Sequence, residues 1–159
     1  MQSSKEKEIF FINPIDQIWI NPKSRDDIPV IMIGLQQLYM NTEIRKHIQT
    51  LMEKHVVRDH VHHTGHPEMN WWRLLVLATL KHGLDCDYAH LEELANHHIT
   101  LRQMLQHEPH DNYEYDQRTI QNNIDLLPVA VLNQIGDLVV QEDLAVKRKR
   151  AWRLLRSLS

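Results

Sequence analysis

The stretch that decides the fold of this chain runs from Met69 to Leu105, MNWWRLLVLATLKHGLDCDYAHLEELANHHITLRQML. Its first part predicts a helix that is apolar on nearly every face, with only two polar residues between Trp71 and Leu80. Such a helix belongs in the middle of a hydrophobic core. Asn70 is expected to cap its N-terminus, and Gly83 is expected to end it, because glycine adopts the left-handed C′ conformation at little cost.

Two short helices are expected to pack on this central helix. Asp87 is predicted to cap the first and Thr100 the second. A polar segment follows, and its pattern predicts a further helix over residues 116–125. The residues expected on the buried face of that helix are Ile120, Ile124 and Leu127, and those expected on its outer face are Arg118, Gln121, Asn122 and Asp125.

The flanking segments complete an all-α architecture of about six to seven helices, with a helix-turn-helix-like segment and an extended N-terminal arm. Helix starts are predicted at Asp26–Pro29, at Asn41 or Thr42, and at Pro128, the first two helices forming a helical hairpin. We divide the chain into an extended arm (1–28), in which a short β-hairpin is an alternative, a helical domain (29–143) and a basic tail (144–159). The apolar residues of the arm are expected to cover an edge of the core.

The charge of the chain is unevenly distributed. The net charge is −3, but residues 144–159 carry six basic side chains and no acidic one, which leaves −9 on the preceding 143 residues. A body this acidic has no general affinity for phosphate, so any DNA binding must come from local patches, from the tail or from a part that this chain lacks. No apolar run reaches the roughly 18 residues of a membrane span, and no signal peptide is evident. A cytoplasmic location is therefore expected.

Several chemistries find little support in the residues. The single cysteine, Cys86, excludes a disulfide within the chain and a multi-cysteine zinc site. Five of the twelve residues in His55–His66 are histidine, which is compatible with a zinc or nickel site but is better explained as a solvated connection between helices. Glu92 and Glu93 are adjacent on a helix and do not converge as an acid–base pair. No cofactor is expected.

The predicted helix at 116–125 carries side chains that can read DNA. Arginine pairs with guanine, and glutamine and asparagine pair with adenine, in the major groove. This makes Arg118, Gln121 and Asn122 candidate base contacts; the candidate phosphate contacts are Arg102, Thr119, Lys147, Arg148, Lys149 and Arg150. Many solvated helices also carry such residues, and the basic tail is equally compatible with a frayed terminus or with a helix that binds an acidic surface.

Three stretches together resemble the N-terminal region of insertion-sequence transposases of the ISNCY type, which have a DDE catalytic domain. They are NPKSRDDIPVIMIGLQQLY (21–39), HPEMNWWRLLVLATLKHGLDCDYAHLEELANHHITLRQMLQH (66–107) and YDQRTIQNNIDLL (115–127). The resemblance extends from about residue 18 to about residue 149. Each motif alone is weak, but their combination is specific to that family.

The resemblance implies that this helical region engages the terminal inverted repeats of the element. In the family a ribonuclease-H-like domain follows, with two aspartates and a glutamate that bind divalent metal for phosphodiester chemistry. This chain ends where that domain is expected to begin, so it is expected to lack activity by itself and to resemble a truncated transposase. The expected partners are DNA and either a second copy or an intact transposase. A protein-interaction module or an inert remnant remains the alternative.

Overall fold

The computed structural model describes residues 14–56 and 69–141, and in these residues it contains seven α-helices and no strand. The all-α prediction is therefore confirmed. A 3-10 helix at Ile15–Gln17 precedes the α-helices. The α-helices are α1 (Asp27–Met40), α2 (Thr42–Val56), α3 (Trp71–Leu84), α4 (Tyr88–His97), α5 (Ile99–Met104), α6 (Gln117–Asp125) and α7 (Val129–Gln141).

Helix α3 lies at the centre of the core and contacts α1, α2, α4 and α6. Its residues from Leu74 to Leu80 are all buried, as its apolar pattern predicts. The predicted cap is also present, because the Asn70 side chain accepts a hydrogen bond from the backbone N–H of Arg73 at 2.8 Å. The sequence therefore identifies both the position of this helix in the core and its first residue.

The predicted end of α3 was wrong. The helix continues through Gly83 to Leu84, and Asp85 adopts the left-handed conformation, with φ 49°. Gly83 serves another purpose, since a Cβ atom there would lie 2.7 Å from Cδ1 of Ile31 on α1. The missing side chain leaves room for the end of the Ile31 side chain, which is a tertiary contact that a local pattern does not reveal.

The N-terminal segment from residue 14 packs along α1. Ile15, Ile18 and Ile20 are buried in the core, so the prediction that this segment covers an edge of the core is confirmed. Gln36 of α1 fixes it, because its side-chain amide donates to the backbone carbonyls of Ile15 (2.8 Å) and Ile18 (2.9 Å). The alternative β-hairpin is not found between residues 14 and 28; residues 1–13 lie outside the described part.

Helices α2 and α7 complete the bundle. Helix α2 begins after Asn41, whose Oδ1 accepts from the Ile44 N–H at 3.2 Å, as predicted, and α2 packs against α1, α3 and α7. Helix α7 buries Val131, Leu132 and Ile135. Within the described helices, none is both long and apolar enough to cross a membrane. Most of the histidine-rich segment and the whole basic tail lie outside the described residues.

Candidate nucleic-acid interface

Helix α6 presents the side chains that the sequence assigned to DNA reading. Its inner face is held by Ile120 and Ile124, which are buried against α3 and α4. Its outer face exposes Arg118, Gln121 and Asn122, so their predicted orientation is confirmed. Because these positions follow the spacing of successive helical turns, they form one stripe along the helix.

The N-terminus of α6 is occupied by two carboxylates. The Asp116 side chain caps the helix by accepting from the Thr119 N–H at 3.2 Å, and its Oδ2 lies 3.5 Å from the Thr119 hydroxyl. From α4, Glu92 accepts the N–H of Gln117 at 2.6 Å. Helix N-termini attract anions, but here protein carboxylates take that role. This geometry offers no support for the predicted contact between Thr119 and a phosphate.

The C-terminal end of α6 is tied to α4 by a side-chain contact. The Tyr88 hydroxyl donates to Asp125 at 3.2 Å, and the Lys81 ammonium lies 4.9 Å from the centre of the Tyr88 ring. Burial, and then the neighbouring Asp125 carboxylate, raise the pKa of Tyr88, so the phenol remains a hydrogen-bond donor. Both ends of α6 are thus joined to α4 through side chains.

The connection into α6 is longer than that of a helix-turn-helix. Such a motif joins its two helices by a turn of about three or four residues. Here α5 ends at Met104 and α6 begins at Gln117, so residues 105–116 intervene. The predicted arrangement, a tight helical pair (α4 and α5) followed by the candidate reading helix, is present, but the turn is replaced by an ordered loop that we call the α5–α6 loop.

Helix α5 begins and ends with capping interactions that the sequence did not indicate. The predicted cap at Thr100 was wrong: the cap is His98, whose Nδ1 accepts from the Leu101 N–H at 3.1 Å. At the other end Gln106 adopts a left-handed conformation with φ 65°, and the N–H of His107 donates to the carbonyl of Arg102 at 3.0 Å. With the bond from the Gln106 N–H to the Gln103 carbonyl at 2.9 Å, this forms a Schellman motif, which turns His107 back toward the helices.

The Arg102 side chain holds the α5–α6 loop through hydrogen bonds to backbone carbonyls. Its guanidinium donates to the carbonyls of Ala95 (3.1 Å), Asp111 (3.2 Å) and Tyr113 (3.0 Å). Arginine suits this position because its planar group offers several donors in fixed directions. The guanidinium is therefore engaged within the protein, and the geometry gives no support to the predicted role of Arg102 as a phosphate contact.

Asn96 of α4 fixes the residue that precedes the cap of α6. Its Oδ1 accepts from the Tyr115 N–H at 2.6 Å, and its Nδ2 donates to the Tyr115 carbonyl at 3.0 Å. One side chain thereby satisfies both backbone groups of Tyr115, whose own side chain is buried. This pair of bonds sets where the chain enters α6.

A buried histidine closes the same loop from the inside. His107 Nδ1 lies 2.8 Å from Asp111 Oδ2, and His107 Nε2 lies 2.6 Å from the Tyr115 hydroxyl. The Asp111 carboxylate can only accept, so Nδ1 carries the proton and Nε2 accepts from Tyr115. Burial lowers the pKa of His107, which favours this neutral form. The His107 bond, together with the Tyr113 N–H, lowers the pKa of Asp111.

The order Asp111, His107, Tyr115 resembles the acid–histidine–hydroxyl arrangement of hydrolases, but its environment does not activate the hydroxyl. Tyr115 is only 4% exposed, and burial strongly raises the pKa of its phenol. A nucleophile needs access to substrate and a base that removes its proton. The cluster, in which the rings of Tyr113 and His107 also stack with centroids 5.4 Å apart, is a structural support for the loop.

The central helix anchors the start of the loop. The Trp72 indole N–H donates to the carbonyl of Met104 at 2.7 Å, and Nε of Arg73 donates to the carbonyl of Leu105 at 2.8 Å. These carbonyls belong to the end of α5, where helical partners run out. The WWR sequence thus connects the core to the α5–α6 loop, and the sequence reasoning missed this because the contacts join residues 32 positions apart.

The surface around α6 is strongly acidic. The described residues carry fifteen acidic and nine basic side chains, and the segment from 85 to 125 has nine acidic and two basic ones. Of those two, Arg102 is engaged by carbonyls, which leaves Arg118 as the exposed cation of this segment. DNA binding through α6 alone would therefore meet unfavourable long-range electrostatics.

The remaining predicted contacts, Lys147, Arg148, Lys149 and Arg150, lie outside the described residues and stay predictions. Within the described part, the structure contains no group of three or more histidine, cysteine or acidic residues that could hold a metal ion. No protein-family model matches the chain, and neither the curated proteins nor the solved structures include a match.

Proposed function

We propose that this chain is a DNA-end-binding domain of the kind found at the N-terminus of DDE-type insertion-sequence transposases, acting on the terminal inverted repeats of its element in the cytoplasm. The observation that carries the proposal is the outer stripe of α6. Arg118, Gln121 and Asn122 are exposed together on a helix whose other face is buried. These are the side-chain types that pair bidentately with guanine and adenine.

The dimensions of α6 support this proposal. An α-helix with its side chains is about 10–12 Å across, which fits the major groove of about 12 Å width. The helix is supported from below by α3 and α4, and both of its ends are joined to α4. Rigid support of this kind keeps base-contacting side chains in register with the base edges.

The acidic surface requires phosphate contacts from elsewhere in the chain. Residues 147–150, KRKR, supply four adjacent cations. In this proposal the tail contributes sequence-independent affinity and α6 contributes sequence preference. The two roles respond differently to salt, because counterion release follows the phosphate contacts.

The proposal is tested by fluorescence anisotropy with a labelled duplex of the terminal repeat and a scrambled duplex of equal composition, at about 50 and about 200 mM salt. We expect preference for the repeat. Gln121→Ala and Asn122→Ala should each lower that preference about 5- to 100-fold, whereas Gln134→Ala, an exposed position on α7, should not. Neutralising residues 147–150 should weaken binding to both duplexes. Equal binding of repeat and scrambled DNA at both salt concentrations would refute sequence reading by α6.

A protein-interaction function is the second candidate, and the acidity of residues 85–125 favours it. A basic partner or the basic tail of another copy would complement that surface. Sedimentation equilibrium of the full chain discriminates the two functions. Concentration-dependent association without any DNA preference would support the interaction module instead of DNA reading.

A further inference from the structure

The segment that precedes α1 holds a tryptophan in solvent. Trp19 is 76% exposed, although Ile18 and Ile20 on either side are only 5% and 9% exposed. In extended backbone, successive side chains point to opposite sides, and Ile18 is extended. The indole therefore cannot enter the core unless both isoleucines leave it. The hydrogen bond from Gln36 to the Ile18 carbonyl, at 2.9 Å, fixes the same backbone.

A compact turn follows Trp19 and carries two cations. Asn21 accepts from the Lys23 N–H at 3.0 Å through its side chain, and its carbonyl accepts from the Ser24 N–H at 3.3 Å. Ser24 in turn accepts from the Asp26 N–H at 3.2 Å. Lys23 and Arg25 are exposed, and neither forms an ion pair with another residue in the described ranges.

Three acidic residues flank this turn in the sequence. Asp26 and Asp27 stand at the N-terminal end of α1. The positive end of the helix dipole stabilises their charge there. Asp16 lies on the 3-10 helix. The segment from residue 17 to residue 25 therefore contains two cations and no acid.

We propose that the segment 19–25 is a second DNA contact, in which the Trp19 indole stacks on an unpaired base and the side chains of Lys23 and Arg25 contact the adjoining phosphates. An aromatic ring with neighbouring cations is how proteins bind single-stranded nucleic acid, because every base has a face on which a ring can stack. Rigid backbone on both sides lowers the cost of ordering the ring. The contact rests on the proposed function, since it is made to the same DNA.

The test compares two terminal-repeat duplexes, one blunt and one with a short thymidine overhang, using the full chain. We expect the wild type to bind the overhang duplex more tightly. Trp19→Ala should reduce the affinity of the protein for the overhang duplex about 5- to 100-fold and leave its affinity for the blunt duplex unchanged. Trp19→Phe should retain most of the preference for the overhang duplex. Lys23→Gln with Arg25→Gln should also lower overhang affinity and its salt dependence.

Matched controls separate a local contact from a general change of surface. Met40→Ala removes another exposed apolar side chain, and Lys46→Gln with Lys54→Gln removes two exposed cations from α2. Both should leave the overhang preference intact. If overhang and blunt duplexes bind equally and Trp19→Ala has no effect on either, the second contact is refuted while DNA-end binding stands.

Two other results would also overturn the inference. If the wild type binds no DNA, the proposed function and the second contact fail together. If Trp19→Ala leaves DNA affinity unchanged but alters the sedimentation of the chain, the indole belongs to a protein interface and not to a DNA contact.

Discussion

Asn96→Ala should destabilise the protein by releasing the entrance to α6. The substitution removes the 2.6 Å bond from the Tyr115 N–H and the 3.0 Å bond to the Tyr115 carbonyl. Each such bond contributes about 0.5–1.5 kcal/mol net, and a buried group left unpaired costs more. We therefore expect a loss of about 2 kcal/mol in the free energy of unfolding. The fall in Tm should be about 4–8 °C for a chain of this size.

Urea denaturation followed by circular dichroism measures the loss, with Gln103→Ala as the control. Gln103 is half-exposed on α5, and its side chain makes no hydrogen bond within the described ranges, so that variant should remain within about 0.5 kcal/mol of the wild type. Asn96→Asp separates the two hydrogen bonds of the Asn96 side chain. Its carboxylate can still accept from the Tyr115 N–H, but it repels the Tyr115 carbonyl, so it should be at least as destabilising as Asn96→Ala.

Hydrogen exchange adds a local readout of the same bonds. The Tyr115 amide should exchange faster in Asn96→Ala than in wild type, by more than the global loss of stability explains. If Asn96→Ala is no more destabilising than Gln103→Ala, or if the Tyr115 amide remains equally protected, the proposed role of Asn96 in holding the loop is wrong.

Three further predictions concern histidine titration and the core. Burial lowers the pKa of His98 and of His107, so these histidines bind protons at a higher pH in the unfolded chain than in the folded one. The free energy of unfolding should therefore fall as the pH drops below about 6.5 and level off below the folded pKa values. Urea titrations at several pH values check this, and His107→Gln should reduce the dependence of the free energy of unfolding on pH. Gly83→Ala should gain up to about 1 kcal/mol of helix propensity but lose about 1–3 kcal/mol through the contact with Ile31. Adding Ile31→Val removes the Cδ1 atom that the new methyl group would meet. The double variant should therefore lose less free energy of unfolding than the sum of the two single variants. Strict additivity in chemical denaturation would count against the contact between residue 83 and Ile31. Thr79→Val replaces a buried hydroxyl that has no hydrogen-bond partner in the described part; it should raise the free energy of unfolding by about 1 kcal/mol, and a lower Tm in calorimetry would show that the hydroxyl is satisfied.

The features that the sequence predicted correctly depend on neighbouring residues. Asn70 and Asp87 cap their helices because a short polar side chain reaches an N–H three residues away. The inward positions of Ile120 and Ile124 follow from helical spacing alone. Such interactions need no knowledge of the tertiary fold, which is why the class and most helix starts could be read directly.

Most of the features that it missed depend on residues farther along the chain. Gly83 leaves room for the Ile31 side chain of α1, and Asn96 binds a residue 19 positions away. His98 was overlooked as a cap because imidazole is not among the usual capping groups, although a neutral Nδ1 accepts as an oxygen does. The order of the α5–α6 loop was also not predicted, because it comes from contacts that Arg102 and His107 make with residues nine and eight positions away.

A single residue, His98, joins α4 to α5. Its N–H donates to the Leu94 carbonyl at 2.9 Å, its carbonyl accepts from the Arg102 N–H at 2.9 Å, and its ring caps α5. No spare residue remains at this junction to absorb an insertion or a deletion. We expect natural variants of the protein to keep the α4–α5 junction at one residue. A substituent at this position would have to be a hydrogen-bond acceptor of similar reach, such as asparagine or aspartate.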